Sequence, residues 1–494
     1  MSTEIELKLQ LTAKSAKKLA SHPLLLPLAA QKQHLLNTYY DTPELALHAK
    51  RIAMRFRKKG EQWLLTVKSA EPASGGLAVR SEWEKPALPG VFDFSHVDEP
   101  SLRDFLETAR PQMAAVFTTD FRRQIWHVPF GHSLIELALD RGTIESQGRK
   151  SRICEIELEL LSGDIDDIFK LTRKLQDKLE LSPAIASKAE RGYKLFNDEP
   201  LKPFKAKPAG ISVDMQPVEA FRCIALGCLE HFQRNEEGLH LSNDPEFIHQ
   251  ARVALRRLRS AIKLFSPVLP PEFVSTYGQT WRTLASALGE ARNWDVFLEE
   301  TLPPIQAVFP EHGDIRRLRT EARRSAKSAR QSVVKLLAVR EYQRLIVEFT
   351  AAIYALRDTL PMPIKSYAKT SISRQYKQTQ KKIKNKAFLS ENELHSFRIE
   401  CKSLRYAFDF FAPILPSQSL RKSIESLETA QEYLGKINDC TTALKMLERK
   451  KTRSMELLSG WIRCSQTNLI KIFNNSVKKH DFKKYMPWGL SATP

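Results

Sequence analysis

Charged and apolar side chains alternate in several segments of the first 200 residues. The segments are 4–9, 54–57, 66–68, 79–84, 136–140 and 155–160. Successive side chains of a β-strand point to opposite faces, so each segment predicts a strand with one charged and one apolar face. A single strand of this kind is typical of an antiparallel sheet whose polar face meets water. The recurrence, with charges of both signs, favours a closed barrel with a charged interior and helices outside, such as 13–25 and 164–179.

Charges of both signs inside one barrel suit a substrate that carries several phosphate groups. Arginine and lysine bind phosphate oxygens directly. Carboxylates would repel those oxygens unless a divalent cation lay between them, and Mg²⁺ or Mn²⁺ prefers carboxylate ligands. The pattern therefore predicts metal-assisted attack of water on a phosphoanhydride. The phosphate-binding loop GxxxxGK[ST] does not occur in the sequence, and Gly75-Gly76 is typical of a turn between strands.

The two parts of the chain differ sharply in charge. The chain has 77 Lys+Arg and 57 Asp+Glu, of which 29 Lys+Arg and 28 Asp+Glu fall within residues 1–200. Nearly all of the net charge of +20 therefore lies after residue 200. A Pro-rich segment at 201–217 predicts a linker between two domains. The excess charge implies a polyanionic partner, such as nucleic acid, an anionic membrane surface or polyphosphate. Six scattered cysteines, with no signal peptide or membrane-length apolar run, predict a cytoplasmic protein with reduced thiols.

From residue 218 onward the pattern is helical, and the sequence repeats itself after 146 residues. The matched pairs are His249 and His395, Arg252 and Arg398, Leu258 and Leu404, Arg259 and Arg405, Phe265 and Phe411, Pro267 and Pro413, and Gly289 and Gly435. The match predicts a duplicated bundle of about four helices per copy, with the copies at about 218–330 and 365–480.

In each copy, residues at i, i+3, i+7 and i+10 lie on one helix face. They are His249, Arg252, Arg256 and Arg259 in the first copy and His395, Arg398, Lys402 and Arg405 in the second. Neighbouring cations repel, so an anion is expected opposite them, and the two copies predict a basic groove. The histidines could instead cap helices in the core. Further basic runs lie at 316–330 and at 377–386, the latter being typical of a solvated face.

A series of motifs runs in order through residues 1–197. They are EIELKL, NTYYDTP, MRFRKK, TVK, GGLAVRSEWE, TDFRRQ, IELALDRG, ICEIELELLSGD and SKAERGY. Together they resemble the CYTH superfamily, the triphosphate tunnel metalloenzymes, and are most similar to its bacterial inorganic triphosphatases. The resemblance implies an antiparallel β-barrel tunnel that hydrolyses a triphosphate with Mg²⁺ or Mn²⁺ as cofactor.

Matched to these motifs, the resemblance implies roles for individual residues. The catalytic residues are Glu6, Lys8, Arg57 and Lys68. The triphosphate-binding residues are Lys8, Arg55, Arg57, Lys68, Arg80, Arg123 and Lys188. The metal ligands are Glu4, Glu6, either or both of Glu82 and Glu84, Asp140, Glu155 and Glu157. Alignment favours Arg123 over Arg122, Glu159 could lie at the tunnel rim, and Arg80 could equally be a surface charge.

The segments HxxRVxxRRLR, HxxRIxxKxLRY, LGEARNWD and LGKINDC resemble the CHAD domain, over about 218–480. This resemblance implies that the eight residues of the predicted groove bind inorganic polyphosphate. The expected α+β chain has a CYTH barrel at 1–200, a linker at 201–217 and an all-α CHAD bundle at 218–485.

The sequence thus predicts a metal-dependent hydrolase that cleaves inorganic triphosphate to pyrophosphate and phosphate, joined to a polyphosphate-binding domain. The alternatives are a thiamine triphosphatase or another organic triphosphate hydrolase or cyclase, and a non-catalytic polyphosphate-binding protein. Specific nucleic-acid binding is disfavoured because the basic half lacks interleaved aromatic residues. We expect a cytoplasmic monomer without a membrane partner, which polyphosphate granules could retain.

Overall fold

The structure is a computed structural model that describes residues 2–70, 75–358, 362–383, 389–415, 417–448 and 454–477. Contacts within the chain divide it into two units. The first is Met1–Lys202 together with Leu337–Ala355, and the second is Pro203–Leu336 together with Leu356–Pro494. Each unit is described by itself below.

The first unit is built on a single antiparallel sheet. Its strands are β1 Ser2–Leu11, β2 Gln31–Asp41, β3 Ile52–Lys59, β4 Gln62–Ala70, β5 Leu77–Pro86, β6 Ala114–Phe130, β7 Ser133–Ser146, β8 Arg149–Ser162 and β9 Leu181–Pro183. They pair in the order β5-β4-β3-β2-β6-β7-β8-β1-β9, and β1 pairs with β5 as well. The sheet therefore curls back on itself through β1, which confirms the predicted antiparallel barrel.

Short helices cover the outside of the barrel. They are α1 Ala13–Leu19, α2 Ala46–Ala49, α3 Pro100–Ala109 and α4 Ile165–Gln176. A fifth helix, α5 Lys188–Phe196, packs instead on the inner face, where Tyr193 lies against Tyr39 and Phe117. The Asp164 side chain caps α4 by accepting the Asp166 N–H, and Ser187 caps α5 by accepting the Glu190 N–H.

The apolar alternates of the strands pack against these helices. Leu7 and Leu9 of β1 lie in one buried cluster with Ile168 and Leu171 of α4. Leu7 is fully buried, and burying a leucine side chain contributes roughly 1.5–3 kcal/mol. Because the apolar face is outside, the charged alternates of the same strands face the barrel interior.

The second unit is helical. The remaining helices of the chain are α6 Pro217–Leu241, α7 Pro245–Phe265, α8 Pro271–Val296, α9 Leu302–Val308, α10 Gly313–Ala338, α11 Arg340–Ala355, α12 Ile364–Ile383, α13 Glu391–Phe411, α14 Ser417–Glu448 and α15 Ser454–Val477. The two self-matched helices fold alike, since α7 and α13 each continue into a 3₁₀ turn, at Ser266–Val268 and at Ala412–Ile414.

The Pro-rich segment before α6 has no regular secondary structure. Phe204 is nevertheless held on the helical unit, because its N–H donates to Asn235 Oδ1 at 3.0 Å and its carbonyl accepts from Asn235 Nδ2 at 3.0 Å. Lys207 and Arg234 both lie over the Phe204 ring, 4.9 and 5.1 Å from its centre. The second part of this segment is therefore an ordered strap rather than a free tether.

Helix α11 departs from the expected division of the chain. It lies in sequence between the two helical copies, yet it packs with the first unit. Val347 belongs to the buried cluster of Leu7 and Leu9, with Tyr354 against its edge. The helical periodicity of α11 does not differ from that of its neighbours. The sequence pattern therefore does not indicate that α11 packs with the first unit.

Candidate active site and basic groove

Strand pairing places charged residues of neighbouring strands side by side inside the barrel. Lys8 of β1 lies opposite Glu157 of β8. Asp140 of β7 lies opposite both Glu155 of β8 and Arg123 of β6. Side chains of directly paired residues start about 5 Å apart, so one cluster of charges forms across four strands.

Lys188, the first residue of α5, lies at the centre of this cluster. Its Nζ is 2.6 Å from Asp140 Oδ2, 2.6 Å from Glu155 Oε1 and 2.9 Å from Glu157 Oε1. Burial by itself would lower the pKa of Lys188, but attraction by the three carboxylates outweighs it and raises that pKa. The buried ammonium is therefore firmly charged.

The same three carboxylates fit a divalent cation. Asp140, Glu155 and Glu157 each offer one oxygen, and these oxygens all lie within 4.8 Å of one another. Carboxylate oxygens are the ligands that hard cations such as Mg²⁺ prefer. Such an ion would share its oxygens with Lys188, so the ammonium and the metal would both offset the negative charge.

Lys8 lies between two carboxylates on the inner face. Its Nζ is 3.1 Å from Glu6 Oε1 and 3.1 Å from Glu157 Oε1. Glu157 also forms an ion pair with Arg123. Burial would raise the pKa of Glu157, yet Lys188, Lys8 and Arg123 outweigh it and hold that pKa well below its usual range.

A second cluster of charges surrounds Lys68 of β4. Its Nζ lies 2.7 Å from Glu4 Oε2 and 2.8 Å from Glu82 Oε2. Burial raises the pKa of Glu4 despite the attraction of Lys68. Burial also acts to raise the pKa of Glu82, but Lys68 and Arg55 outweigh it and lower that pKa.

Two arginines of β3 add positive charge to the interior. Arg55 Nη2 is 3.9 Å from Glu82 Oε1, and Arg57 Nη1 is 3.8 Å from Glu84 Oε2. Burial and repulsion by Arg55 and Arg123 lower the pKa of Arg57 to about 10. An anion bound beside Arg57 would relieve that repulsion, which is what a phosphate group requires of its site.

Several polar residues of the interior were not singled out in the sequence. Asn37 accepts from Arg57 Nε at 3.0 Å and donates to Thr119 Oγ1 at 2.9 Å. Tyr39 Oη accepts from Arg55 Nη1 at 3.1 Å. Asn37 and Tyr39 share one parity of β2, so the alternation rule could have found them if neutral residues had been considered.

The structure also places the remaining tunnel residues. Arg122 is exposed, whereas Arg123 donates to both oxygens of Asp140 at 2.8 and 2.7 Å. Arg80 lies in β5 opposite Glu4, but its side chain falls outside the described set. Glu159 lies opposite Glu6 and Glu136, and burial and repulsion by Glu4 raise its pKa to about 7.

In the helical unit, four of the eight predicted groove residues repel one another. Burial and repulsion by Arg256 and Arg398 lower the pKa of Lys402 to about 5. Burial and repulsion by Arg256 and Arg398 also lower the pKa of Arg252 to about 10. Their mutual influence places these cations of α7 and α13 in one cluster, which we call the groove cluster: Arg252, Arg256, Arg398 and Lys402.

Two buried atoms of this cluster have no hydrogen-bond acceptor in the described structure, Arg252 Nε and Arg398 Nε. A buried donor without an acceptor is costly, and so is a set of like charges held together. Attraction by Asp439 acts to raise the pKa of Lys402, but burial and repulsion by the arginines outweigh it and lower that pKa. The arrangement is therefore one that an anion with several oxygens would stabilise.

The other four predicted groove residues are engaged differently. Arg405 is ion-paired with Asp409, at 3.1 Å, and Asp409 also pairs with Arg257 at 3.1 Å. Burial and repulsion by Arg282 lower the pKa of Arg259.

The two histidines of the predicted groove differ from each other. His395 is exposed with Nδ1 3.2 Å from Asn438 Oδ1, whereas burial and Arg292 lower the pKa of His249.

Comparison with known proteins matches both units. The family model of the CYTH domain matches residues 2–193, and that of the CHAD domain matches residues 223–448. An inorganic triphosphatase of Haemophilus influenzae is 33% identical over 196 residues, which is 40% of this chain and 55% of that protein. The match thus spans about half the length of the curated relative.

Solved structures add support for the second unit. The CHAD domain of the plant Ricinus communis is 29% identical and covers 56% of this chain and 97% of its own, with a TM-score of 0.50. A putative adenylyl cyclase from Hippeastrum, with a dominant triphosphatase activity, is 20% identical over 40% of this chain and 95% of its own, with a TM-score of 0.30.

No helix in the described ranges is both long enough and apolar enough to cross a membrane. The curled antiparallel sheet, its charged interior and the two family matches agree with one another. The chain therefore carries a CYTH domain at 2–193, followed by a CHAD domain at 223–448.

Proposed function

We propose that the barrel hydrolyses inorganic triphosphate with a divalent metal ion and that the helical unit binds inorganic polyphosphate. The observation that carries the first proposal is the interior in which Lys8 and Arg123 form ion pairs with the carboxylate cluster of Asp140, Glu155 and Glu157, while Arg57 is repelled by Arg123. Cations of this kind bind the phosphate chain, while the carboxylates hold the metal.

Mg²⁺ or Mn²⁺, when bound by Asp140, Glu155 and Glu157, would polarise a phosphoryl group toward attack by water. The protein's own cations have a separate task. Lys8 and Arg57 would bind phosphate oxygens and stabilise the charge that develops on the leaving pyrophosphate. Arg123, held by both oxygens of Asp140, would bind with little loss of side-chain freedom.

The test is phosphate release from tripolyphosphate, thiamine triphosphate, ATP and long polyphosphate, with and without Mg²⁺. We expect tripolyphosphate to be preferred and Glu6→Gln to lose at least about 100-fold in kcat, since it removes the charge of the carboxylate that is ion-paired with Lys8. Glu145→Gln is the matched control, because Glu145 pairs with Lys150 on the outer face of β7. Equal activity of both variants would contradict the assignment, and a preference for thiamine triphosphate would establish the alternative substrate.

The groove cluster carries the second proposal. Long polyphosphate presents a line of anionic oxygens, which would satisfy Arg252 and Arg398 and relieve the repulsion at Lys402. Bound polymer would also keep the enzyme near a store of phosphoanhydride. This function is independent of hydrolysis, so it can be tested in a variant that does not turn over.

The variant for the test is Arg252→Glu combined with Arg398→Glu. We expect it to bind long polyphosphate at least about tenfold more weakly while hydrolysing short triphosphate near the normal rate. Arg317→Glu with Arg324→Glu is the matched control, since both residues are exposed on α10 and the change in net charge is the same. If the control loses as much affinity, binding depends on overall charge and the groove assignment is wrong.

A further inference from the structure

Lys8 lies at a discontinuity in the strand pairing of β1. Along one edge, β1 first pairs with β5, and the last pair is Leu7 with Leu77. From Leu9, which lies opposite Pro183, the same edge pairs with β9. The Lys8 backbone bridges the change of partner, since its N–H donates to Gly76 O at 2.8 Å and its carbonyl accepts from Ala184 N–H at 2.9 Å. The turn before β5 therefore helps to fix the backbone of a tunnel lysine.

That turn is packed tightly on both sides. Gly76 has a φ of +88°, and a β-carbon there would lie 2.7 Å from Lys8 O. Gly75 has a φ of +62°, and a β-carbon there would overlap the side chain of Thr350. Only glycine combines this backbone conformation with so close an approach. The turn is thus held between the Lys8 backbone and Thr350 of α11.

Helix α11 also packs on β9, which pairs with the Lys8 strand, and it shares a buried cluster with the apolar face of that strand. Leu7 and Leu9 flank Lys8, point to the opposite face and share a buried cluster with Val347, one turn from Thr350. Arg344 forms an ion pair with Asp177 beyond the end of α4. Thr350 itself is fully buried, and its Oγ1 donates to Ile346 O at 2.8 Å. The helix therefore contacts the turn that fixes Lys8 and belongs to the same buried cluster as the strand that carries it.

We propose that α11, a segment from within the helical half of the sequence, positions Lys8 for hydrolysis, with Thr350 acting on it through the Gly75-Gly76 turn. Thr350 is a positioning residue, because it reaches Lys8 only through that turn. The inference rests on the proposed hydrolase function, in which Lys8 binds the phosphate that reacts. It means that the barrel of residues 1–202 is not a complete catalytic unit without 337–355.

The test compares three variants of the full chain. Thr350→Leu adds volume where the side chain meets Gly75, whereas Thr350→Ser keeps the hydroxyl and adds none. Thr172→Leu is the matched control, because Thr172 of α4 is equally buried and its Oγ1 also donates at 2.8 Å to a carbonyl four residues earlier. Thr350→Leu and Thr172→Leu should thus lower the melting temperature by similar amounts.

Their kinetics should differ. A misplacement of roughly 1 Å at a reacting group costs on the order of 100-fold in rate. We expect Thr350→Leu to lose at least about tenfold in kcat on tripolyphosphate with KM changed less than about threefold, because the other tunnel cations still bind substrate. Thr350→Ser and Thr172→Leu should stay within about twofold of wild type in kcat. Equal kcat for the two leucine variants would overturn the inference.

A second measurement separates this inference from the proposed function. Hydrogen exchange at the Lys8 amide reports the turn contact whether or not the protein hydrolyses triphosphate. Faster exchange in Thr350→Leu than in Thr172→Leu supports the inference even if wild type shows no turnover, and equal exchange overturns it. If Thr350→Leu does not fold, Val347→Ala takes its place in the same comparison, since it removes an α11 side chain from the buried cluster of Leu7 and Leu9 without adding volume.

Discussion

Binding of polyphosphate to the groove cluster should draw a proton from solution. The pKa of Lys402 is lowered to about 5 by burial and then by Arg256, Arg398 and Arg252. At pH 7 only about 1% of the free protein then carries this proton, and charging Lys402 costs about 3 kcal/mol. An anion laid along the cluster opposes the repulsion and raises the pKa, so the bound state takes up a proton.

The lowered pKa of Lys402 determines how the affinity for polyphosphate changes with pH. The lowered pKa means that Lys402 is charged in the free protein only below about pH 5. Affinity should be highest there and should fall as the pH rises toward the pKa of the bound state, by up to about tenfold per pH unit for one proton. His249 faces the same cluster and also has a lowered pKa, so it adds a smaller uptake near neutral pH.

Isothermal titration calorimetry with long polyphosphate at pH 7.5, in buffers of different ionisation enthalpy, measures the uptake directly. We expect roughly one proton per site in wild type and in His249→Gln, but close to none in Lys402→Met, which keeps the side-chain length without the charge. The reasoning is refuted if the binding enthalpy is independent of buffer, or if Lys402→Met takes up as many protons as wild type.

Three further predictions follow from single contacts. Asp409→Asn should destabilise the folded protein by about 1–3 kcal/mol in urea unfolding, because Arg257 and Arg405 lose a shared, partly buried carboxylate; no change would mean that solvent already screens the pair. Asn37→Ala should raise KM for tripolyphosphate several-fold, since it frees the Arg57 guanidinium, and unchanged kinetics would contradict a role in orienting it. Chelation of divalent metal should abolish hydrolysis reversibly while long polyphosphate still binds, and hydrolysis that persists after chelation would contradict the metal-assisted reaction.

Much of the barrel could be predicted from the sequence because its signal is local. Alternation with a period of two assigns each residue to a face, and the charged face of Glu4, Glu6 and Lys8 could lie only inside once Leu7 and Leu9 were covered. The family resemblance implied a barrel, but the order of the strands and their closure through β1 came from the structure, because alternation does not specify which strands pair.

The sequence did not predict which charged side chains contact one another. Nothing local indicates that Lys188, at the start of a helix, lies within 3 Å of carboxylates on two strands. In the helical unit, the repeat makes Arg259 the counterpart of Arg405, yet Arg405 forms an ion pair with Asp409, whose counterpart in the first copy is Lys263. An ion pair depends on the partner residue as well as on the cation, and the sequence pattern identified only the cations on the helix face.

By itself the sequence determined the two kinds of domain and the faces of their strands and helices, and it predicted residues that we propose contact phosphate. These follow from periodicity, charge and repetition, which each segment carries within itself. Only the tertiary structure decided that α11 joins the barrel and that Thr350 meets the turn beside Lys8. Such contacts depend on the complementary shape of surfaces far apart in the chain, and a linear pattern of residue types does not record shape.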